Sequence, residues 1–213
     1  STDARGYSTA YAYDIDGYLS SITNALGYIY SYDYDDAGRK ISETNPRGYS
    51  TTYSYDNFNR TLTITDALGG ITSFTYDGVG NKISETDANG NPTIYSYTTR
   101  DQIETITDAE GYITTYAYDA AQNLISETDG NGHATSYTYD AANRMLTSTN
   151  PLDQTTTFTY DGNSNLTIVT DPLSHSVTTT YDPLNRPASI KDALNNTTNT
   201  AYDPVGNKIS VTD

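Results

Sequence analysis

Apolar and polar residues alternate along short stretches of this chain, and such stretches recur throughout it. Residues 49–55 read Tyr-Ser-Thr-Thr-Tyr-Ser-Tyr, and residues 60–66 read Arg-Thr-Leu-Thr-Ile-Thr-Asp. Both are rich in β-branched and aromatic residues, are bounded by Asp, Asn, Gly or Pro, and have the length of an ordinary strand. No stretch has the i, i+3, i+4 apolar spacing of a helix. The pattern predicts an all-β chain of antiparallel hairpins.

The alternation has a fixed period of 21 residues, without insertion or deletion. We number the repeat from a tyrosine at position 1, which Asp follows in every copy except the one in which Thr98 follows Tyr97. A constant period of this size indicates a repeat architecture, so we expect residues 1–213 to form one array. The anchor tyrosines of this array are Tyr13, Tyr34, Tyr55, Tyr76, Tyr97, Tyr118, Tyr139, Tyr160, Tyr181 and Tyr202.

A second marker is glycine at position 15, three residues after an Asp or Asn at position 12. This spacing fits a three-residue hairpin loop whose last residue has a positive φ, and Pro46 is compatible with the start of such a loop. The expected left-handed glycines are Gly27, Gly48, Gly69, Gly90, Gly111 and Gly132.

The odd period constrains the second loop, at positions 2–5. Side chains alternate between the two faces of a sheet, so a shift of one residue moves every tyrosine to the opposite face. If one loop has three residues, the other needs an even number, and we expect a four-residue loop. Position 1 would then lie opposite position 6, position 20 opposite 8, and position 18 opposite 10. One face would carry the aromatic residues, the Ile or Leu of position 8 and the Arg of position 6, and the other face Ser, Thr and Ala.

Composition excludes several classes of partner. The net charge is −16 and the sequence pI is about 4.1, which disfavours nucleic acid and anionic membranes. Cysteine is absent, and no apolar run approaches the roughly 18 residues of a membrane-spanning helix. We expect neither disulfides nor membrane insertion.

Candidate chemistry is sparse. His133 and His175 both occupy position 16, beside a turn, and neither has a nucleophile in a distinctive context. The acidic segments 14–17 and 33–36 could attract calcium, but neither completes a calcium loop, and turn initiation by Asp explains them better. We predict no enzyme and no cofactor, with calcium as the alternative.

Four asparagines fit the N-glycosylation sequon, and the chain is rich enough in Asn and Thr for chance matches. Glycans are therefore candidate attachments at Asn59, Asn165, Asn195 and Asn196.

The whole repeat, clearest in residues 34–54, reads Tyr-Asp-x-x-Gly-Arg-x-x-x-x-Thr-Asp-x-x-Gly-x-x-Thr-x-Tyr-x. It resembles the YD repeat of the Rhs family, which includes bacterial Rhs and wall-associated proteins, the shell component of Tc toxins, and teneurins. The resemblance implies a hairpin array coiling into a superhelical sheet, on a bacterial surface or outside the cell. Family shells end in an autoproteolytic Asp-Pro-x-Gly-Leu type motif. Residues 203–207 have Asn in place of that Leu, so no catalytic residue is carried over.

Three functions fit these features. The first is an extracellular fibre or surface-stalk wall, since the repeats are uninterrupted and the array has no capping repeat. The alternatives are a segment of an Rhs or Tc-type shell that encapsulates a toxin domain, and an adhesion surface for carbohydrate or a receptor. We expect the partners to be further repeats of a longer array or copies of the chain joined head to tail.

Overall fold

The computed structural model describes Ser1 and residues 8–213. Residues 2–7, which the sequence assigns to the array, lie outside this description. Over the described residues the chain is all-β, as predicted, with twenty antiparallel strands. It divides into two compact units, Ser1–Gly111 and Tyr112–Asp213. No helix in the described part is long and apolar enough to span a membrane.

The first unit is a meander in which each strand pairs with the next in sequence. Its strands are β1 (Ala10–Tyr13), β2 (Leu19–Thr23), β3 (Ile29–Tyr34), β4 (Lys40–Thr44), β5 (Ser50–Tyr55), β6 (Thr61–Thr65), β7 (Ile71–Tyr76), β8 (Lys82–Thr86), β9 (Pro92–Tyr97) and β10 (Ile103–Thr107).

The second unit repeats the same topology. Its strands are β11 (Ile113–Tyr118), β12 (Leu124–Thr128), β13 (Ala134–Tyr139), β14 (Met145–Thr149), β15 (Thr155–Tyr160), β16 (Leu166–Thr170), β17 (Ser176–Tyr181), β18 (Pro187–Lys191), β19 (Thr197–Tyr202) and β20 (Lys208–Thr212).

The loop at positions 12–16, which we call the glycine loop, has the predicted geometry. In residues 45–49, the Asn45 N–H donates to the Tyr49 carbonyl and the Gly48 N–H to the Asn45 carbonyl, both at 2.9 Å. The Asn45 Oδ1 also accepts the backbone N–H groups of Arg47 and Tyr49. All six glycines expected to be left-handed have φ between 79° and 87°. The sequence prediction for this loop is confirmed.

The loop at positions 2–6, which we call the anchor loop, has the same geometry, so the four-residue prediction is wrong. In residues 35–39, the Asp35 N–H donates to the Arg39 carbonyl at 3.0 Å and the Gly38 N–H to the Asp35 carbonyl at 2.9 Å. Gly38, at position 5, has φ 76°, and Asn59 at the same position has φ 65°. Both loops are therefore three-residue turns that begin with an Asp or Asn side chain.

A β-bulge, not an even loop, supplies the missing residue of the odd period. Tyr53 lies opposite Ile64, so position 20 faces position 10 and not position 8. Tyr55 then lies opposite Thr61, so position 1 faces position 7 and not position 6, and the intervening Leu62 at position 8 is the extra residue. Across the glycine loop, position 18 does face position 10, as predicted.

The two faces of the sheet differ in chemistry. Positions 1, 7, 10, 18 and 20 share one face, where the Lys40 ammonium lies 4.9 Å from the centre of the Tyr53 ring. The opposite face carries paired hydroxyl groups, as between Ser54 and Thr63 at 2.6 Å. The expectation that the Ile or Leu of position 8 lies opposite position 20 is wrong, because position 10 lies there and the bulge leaves position 8 without an opposite residue. No described hydrophobic side chain is fully buried.

Candidate functional site: the anchor-loop ladder

The anchor tyrosines tie each repeat to the preceding one. In seven repeats the anchor hydroxyl donates to the carbonyl oxygen of position 7 in the previous repeat, at 2.7–3.2 Å. Tyr55, for example, donates to Lys40 at 2.7 Å and Tyr139 to Leu124 at 2.8 Å. The bond uses a backbone oxygen beside the bulge, so it does not depend on the side chain at position 7.

Arginine at position 6 adds a second tie at the same edge. The Arg39 Nε donates to Asp35 of its own loop at 2.7 Å, and its Nη1 donates to the Asp56 carbonyl of the next loop at 2.8 Å. Its guanidinium carbon also lies 5.0 Å from the centre of the Tyr55 ring. The sequence placed this arginine beside the tyrosine of its own repeat, whereas the structure places it over the tyrosine of the next. The same stacking occurs at Arg60, Arg144 and Arg186.

Asparagine at position 6 forms a neutral version of the tie. The Asn81 Nδ2 donates to Asp77 of its own loop at 3.1 Å and to Asp101 of the next anchor loop at 3.0 Å. Asn123 makes the corresponding pair of bonds in the second unit. The anchor loops therefore form a ladder in which each rung contacts two repeats.

The ladder holds its aspartates in the charged state. A hydrogen bond from the Arg39 side chain, followed by one from its backbone N–H, lowers the pKa of Asp35 below the ordinary value. The same causes lower the pKa of Asp140 beside Arg144. In Asp119 the Asn123 side chain and its backbone N–H lower the pKa without a cation. These carboxylates are acceptors in turns, a structural role.

Two ion pairs on the tyrosine face were missed by the sequence reasoning. The Lys40 Nζ lies 2.5 Å from Glu43, and the Lys82 Nζ lies 2.6 Å from Glu85. Residues three apart on a regular strand point to opposite faces, but the bulge at position 8 turns both members of each pair to the same face. Burial, followed by a hydrogen bond with Glu43, raises the pKa of Tyr53. Their signal in the sequence is Lys at position 7 with Glu at position 10, which recurs 42 residues apart.

The two histidines belong to turns, not to a catalytic group. The His133 Nδ1 lies 3.0 Å from Asp129, and the His175 Nδ1 lies 2.9 Å from Asp171, each within its own glycine loop. The imidazole side chains are 63% and 58% exposed. The described residues include no group of three His, Cys, Asp or Glu side chains placed to hold a metal ion.

The acidic segments proposed as calcium loops start turns. The Asp14 Oδ1 accepts the backbone N–H of Asp16 at 3.0 Å and that of Tyr18 at 2.8 Å. The Asp35 Oδ1 accepts the backbone N–H groups of Ala37 and Arg39, and its Oδ2 accepts a hydrogen bond from the Arg39 Nε. The turn bonds account for Asp14 and Asp35, whereas the Asp33 Oδ2 accepts a hydrogen bond from the Ser42 hydroxyl on the adjacent strand at 2.7 Å.

The four sequon asparagines differ in what a glycan would disrupt. The Asn165 Nδ2 donates to an aspartate of its own loop and to an asparagine of the next, both at 2.9 Å. The Asn196 Nδ2 donates to Asp192 at 2.8 Å. Asn59 accepts a bond from Arg39 through its Oδ1, and Asn195 is the left-handed residue of its turn, with φ 69°. Attachment at Asn165 would replace two ladder bonds, so Asn59 and Asn195 are the better-placed acceptors.

Comparison with known proteins agrees with this architecture. The RHS Repeat family model matches seven overlapping segments, at residues 16–48, 34–71, 58–92, 76–113, 97–134, 118–152 and 139–176. A search of curated protein sequences found no significant match.

Solved structures of Tc toxin complexes have a similar fold. The crystal structure of TcdB2-TccC3 without its hypervariable C-terminal region aligns with a TM-score of 0.72 at 19% identity, over 95% of this chain and 13% of that chain. TcdB2-TccC3 itself aligns with a TM-score of 0.71 at 20% identity, over the same shares of the two chains. The Photorhabdus luminescens Tc holotoxin pore aligns with a TM-score of 0.55 at 17% identity, over 95% of this chain and 14% of that chain.

This chain thus spans about an eighth of the two TcdB2-TccC3 chains, 13% in each case, and at this identity the likeness concerns the fold alone. The family matches together cover residues 16–176, well over half of the sequence, and include most of the repeats whose ladder is described above. The chain belongs to the RHS repeat family.

Proposed function

We propose that this array is a segment of the wall of an Rhs or Tc-type β-shell that encloses a toxin domain. The observation that carries the proposal is the alignment with TcdB2-TccC3 over 95% of this chain, with a TM-score of 0.72. It favours the shell over the extracellular fibre, which the sequence alone ranked first.

The contacts within the array suit a wall. Every arginine at position 6 donates a side-chain hydrogen bond to a backbone carbonyl of the next anchor loop and stacks on the anchor tyrosine before that loop, so each repeat is linked to its neighbour. The His133 and His175 side chains contact aspartates of their own turns, and Asp35 accepts a hydrogen bond from Arg39. A non-enzymatic scaffold in a secreted or cell-surface bacterial protein follows from this proposal.

A shell and an exposed sheet differ in the accessibility of the two sheet faces. Thr72 and Ser73 are neighbours on β7, are both half-buried, and project to opposite faces. Because this chain has no cysteine, Thr72→Cys and Ser73→Cys each introduce its one thiol, and the intact protein without either substitution gives the background labelling. We would label both variants, within the intact protein that carries these repeats, with a polymer-linked maleimide too large to enter a closed chamber.

The expected result is rapid labelling of one variant, protection of the other, and labelling of both after denaturation. Rapid labelling of both thiols in the intact protein would contradict the shell. The matched pair controls for intrinsic reactivity, because the two positions share one strand and similar exposure.

A fibre formed by head-to-tail association is the second candidate. Within this chain the strands β1 and β20 are exposed along their whole lengths, and exposed edge strands can pair with another copy. Light scattering over a range of concentrations tests it. A mass that grows with concentration supports the fibre, and a constant mass of 23.3 kDa contradicts it.

A further inference from the structure

One rung of the anchor-loop ladder, in the first unit, consists of two phenol rings. Tyr18 occupies position 6, where every later copy has Arg, Asn or Gln. Its ring stacks on that of Tyr34, the anchor tyrosine of the next repeat, with the ring centres 5.1 Å apart and the planes at 25°. Arg39 lies over Tyr55 in the same way, one repeat further on. Tyr18 therefore takes the place of the ladder cation.

The surrounding backbone holds the two rings together. The Tyr18 N–H donates to the Asp14 Oδ1 at 2.8 Å, which fixes the backbone where the ring departs from its loop. A methyl group on Gly38 would overlap the Tyr18 hydroxyl, so this glycine of the next anchor loop leaves the space that the ring occupies. The Tyr34 hydroxyl donates to the Leu19 carbonyl at 3.2 Å, the longest of the seven anchor bonds described above.

Phenols in this arrangement are suited to oxidative coupling. Tyr18 is 40% exposed, so a solvent-borne oxidant can reach it, and Tyr34 is half-buried beneath it. The centre-to-centre distance of 5.1 Å lies towards the short end of the range for contacting aromatic pairs, about 4.5–7 Å. Radicals formed on the two rings would lie side by side and could combine before either diffused to another partner.

We infer that Tyr18 and Tyr34 form a dityrosine cross-link when the protein meets hydrogen peroxide and a haem peroxidase. Each phenol loses one electron and its hydroxyl proton. The two radicals then join through a bond between ring carbons ortho to the oxygens, and the hydrogens on those carbons move to the oxygens as protons. Hydrogen peroxide takes up the two electrons and the two released protons and is reduced to two molecules of water.

The cross-link would convert a stacked rung into a covalent link between successive repeats. Exposure alone does not single out this pair, because Tyr28 is 54% exposed but has no stacked partner among the described residues. The inference does not depend on the shell assignment, since both rings lie within the first unit.

Treatment of the intact protein, kept dilute, with a haem peroxidase and hydrogen peroxide tests the inference. Digestion on the N-terminal side of aspartates places Tyr18 in residues 16–32 and Tyr34 in residues 33–34. We expect mass spectrometry to find these two fragments joined with the loss of two hydrogens, and fragmentation to assign the bond to Tyr18 and Tyr34. The joined fragment should be at least tenfold more abundant than any other cross-link within this chain.

Tyr18→Asn copies the residue of Asn81 and Asn123, so it should fold normally while the yield of the joined fragment falls at least tenfold. Tyr28→Asn is the matched control, because Tyr28 lies in the same fragment and Asn91 occupies its repeat position in a later copy. It should leave the yield unchanged.

Three results would overturn the inference. They are coupling only between separate molecules, an equal yield of the joined fragment in Tyr18→Asn and the wild type, and a loss in Tyr28→Asn as large as in Tyr18→Asn. Thermal unfolding of each variant before oxidation verifies that it is folded.

Discussion

The two loop edges of the sheet share one backbone geometry but differ in how they join the repeats. On the anchor-loop edge, Arg60 reaches the Asp77 carbonyl of the next loop at 3.1 Å and stacks on the Tyr76 ring at 4.7 Å. On the glycine-loop edge, His133 reaches back to Asp129 of its own turn at 3.0 Å. The turn aspartates differ in exposure accordingly. The Asp56 side chain, on the anchor-loop edge, is 17% exposed, and that of Asp129, on the glycine-loop edge, is 47% exposed.

The comparison shows that a turn does not by itself determine what an edge contributes to stability. In both loops an Asp or Asn side chain accepts the same two backbone N–H groups, so the turns close equally well. The difference arises one residue beyond each turn, where position 6 carries a side chain that spans to the next repeat. We therefore expect the anchor edge to dominate coupling between repeats, as in other arrays stabilised by neighbour contacts.

Acid should have the largest effect, because it acts on both edges together. A hydrogen bond from Arg39 lowers the pKa of Asp35 on one edge, and the backbone N–H of His133 lowers that of Asp129 on the other. A lowered folded-state pKa stabilises the protein above the unfolded value, here about 3.8, and this stability is lost as the pH falls through the folded value. We expect a thermal midpoint that is unaffected by these aspartates from pH 7 to about 5 and that falls steeply below about 4.

Repeating the acid titration at high salt distinguishes the two edges, because salt should reduce the contribution of the anchor edge to the thermal midpoint more than that of the glycine edge. Charge pairs such as Arg39 with Asp35 are screened by salt, whereas backbone hydrogen bonds to Asp129 are affected less. A midpoint at pH 3 equal to that at pH 7 would contradict a role for the turn carboxylates.

Tyr55→Ala should have the largest effect of any single substitution. It removes the hydroxyl bond to Lys40 and the ring under Arg39, both of which join adjacent repeats. Because the ring is half-buried, we expect a loss of about 2–3 kcal/mol, below the 3–5 kcal/mol that is typical of a fully buried aromatic residue. The same reduction applies to Tyr118, which is also half-buried.

Tyr49→Ala provides the comparison from the glycine edge. That ring is 52% exposed, so the substitution should change the free energy of unfolding by no more than about 0.5 kcal/mol. Urea unfolding of both variants measures the difference, and equal losses would show that the edges contribute alike.

Much of the fold could be predicted from residue spacing, and the part that could not shares one cause. Asp66 and Gly69 mark the glycine loop, because an Asp followed three residues later by Gly is typical of a three-residue turn that ends in a left-handed residue. Asp35 and Gly38 have the same spacing in the anchor loop. The sequence prediction nevertheless assigned the anchor loop four residues, because an odd period with one three-residue loop requires an even second loop if both strands are regular. The bulge at Leu62 provides the extra residue that the odd period requires. It has no distinctive sequence pattern, so it could not be predicted from the sequence.

The error in register carried over to the site. With position 1 opposite position 6, Arg39 appeared to be the partner of its own Tyr34, and the link to Tyr55 in the next repeat was hidden.

Gly38→Ala should cost more than Gly48→Ala, although both residues have positive φ, at 76° and 81°. An alanine in this conformation loses roughly 1 kcal/mol or more in either loop. A methyl group on Gly48 would meet nothing within 4 Å, whereas one on Gly38 would overlap the Tyr18 hydroxyl. Tyr18 is held by stacking on Tyr34 at 5.1 Å, so we expect a total loss of about 2 kcal/mol at Gly38. The double variant with Tyr18→Asn should recover the difference, and failure to recover it would exclude the clash as the cause.

Arg60→Ala tests the cation of the ladder and should have the smallest effect on the anchor edge, about 1–2 kcal/mol. The Arg60 and Asp56 side chains are 25% and 17% exposed, so solvent screens their pair, and the stacked ring adds roughly 0.5–1 kcal/mol. Arg60→Asn should lose less, because asparagine at position 6 makes both ladder bonds at Asn81. His133→Ala, at the corresponding place on the glycine edge, should stay within about 0.5 kcal/mol of the wild type. Urea unfolding of the three variants should rank them in that order. A loss in His133→Ala as large as in Arg60→Ala would mean that the glycine loops also couple the repeats.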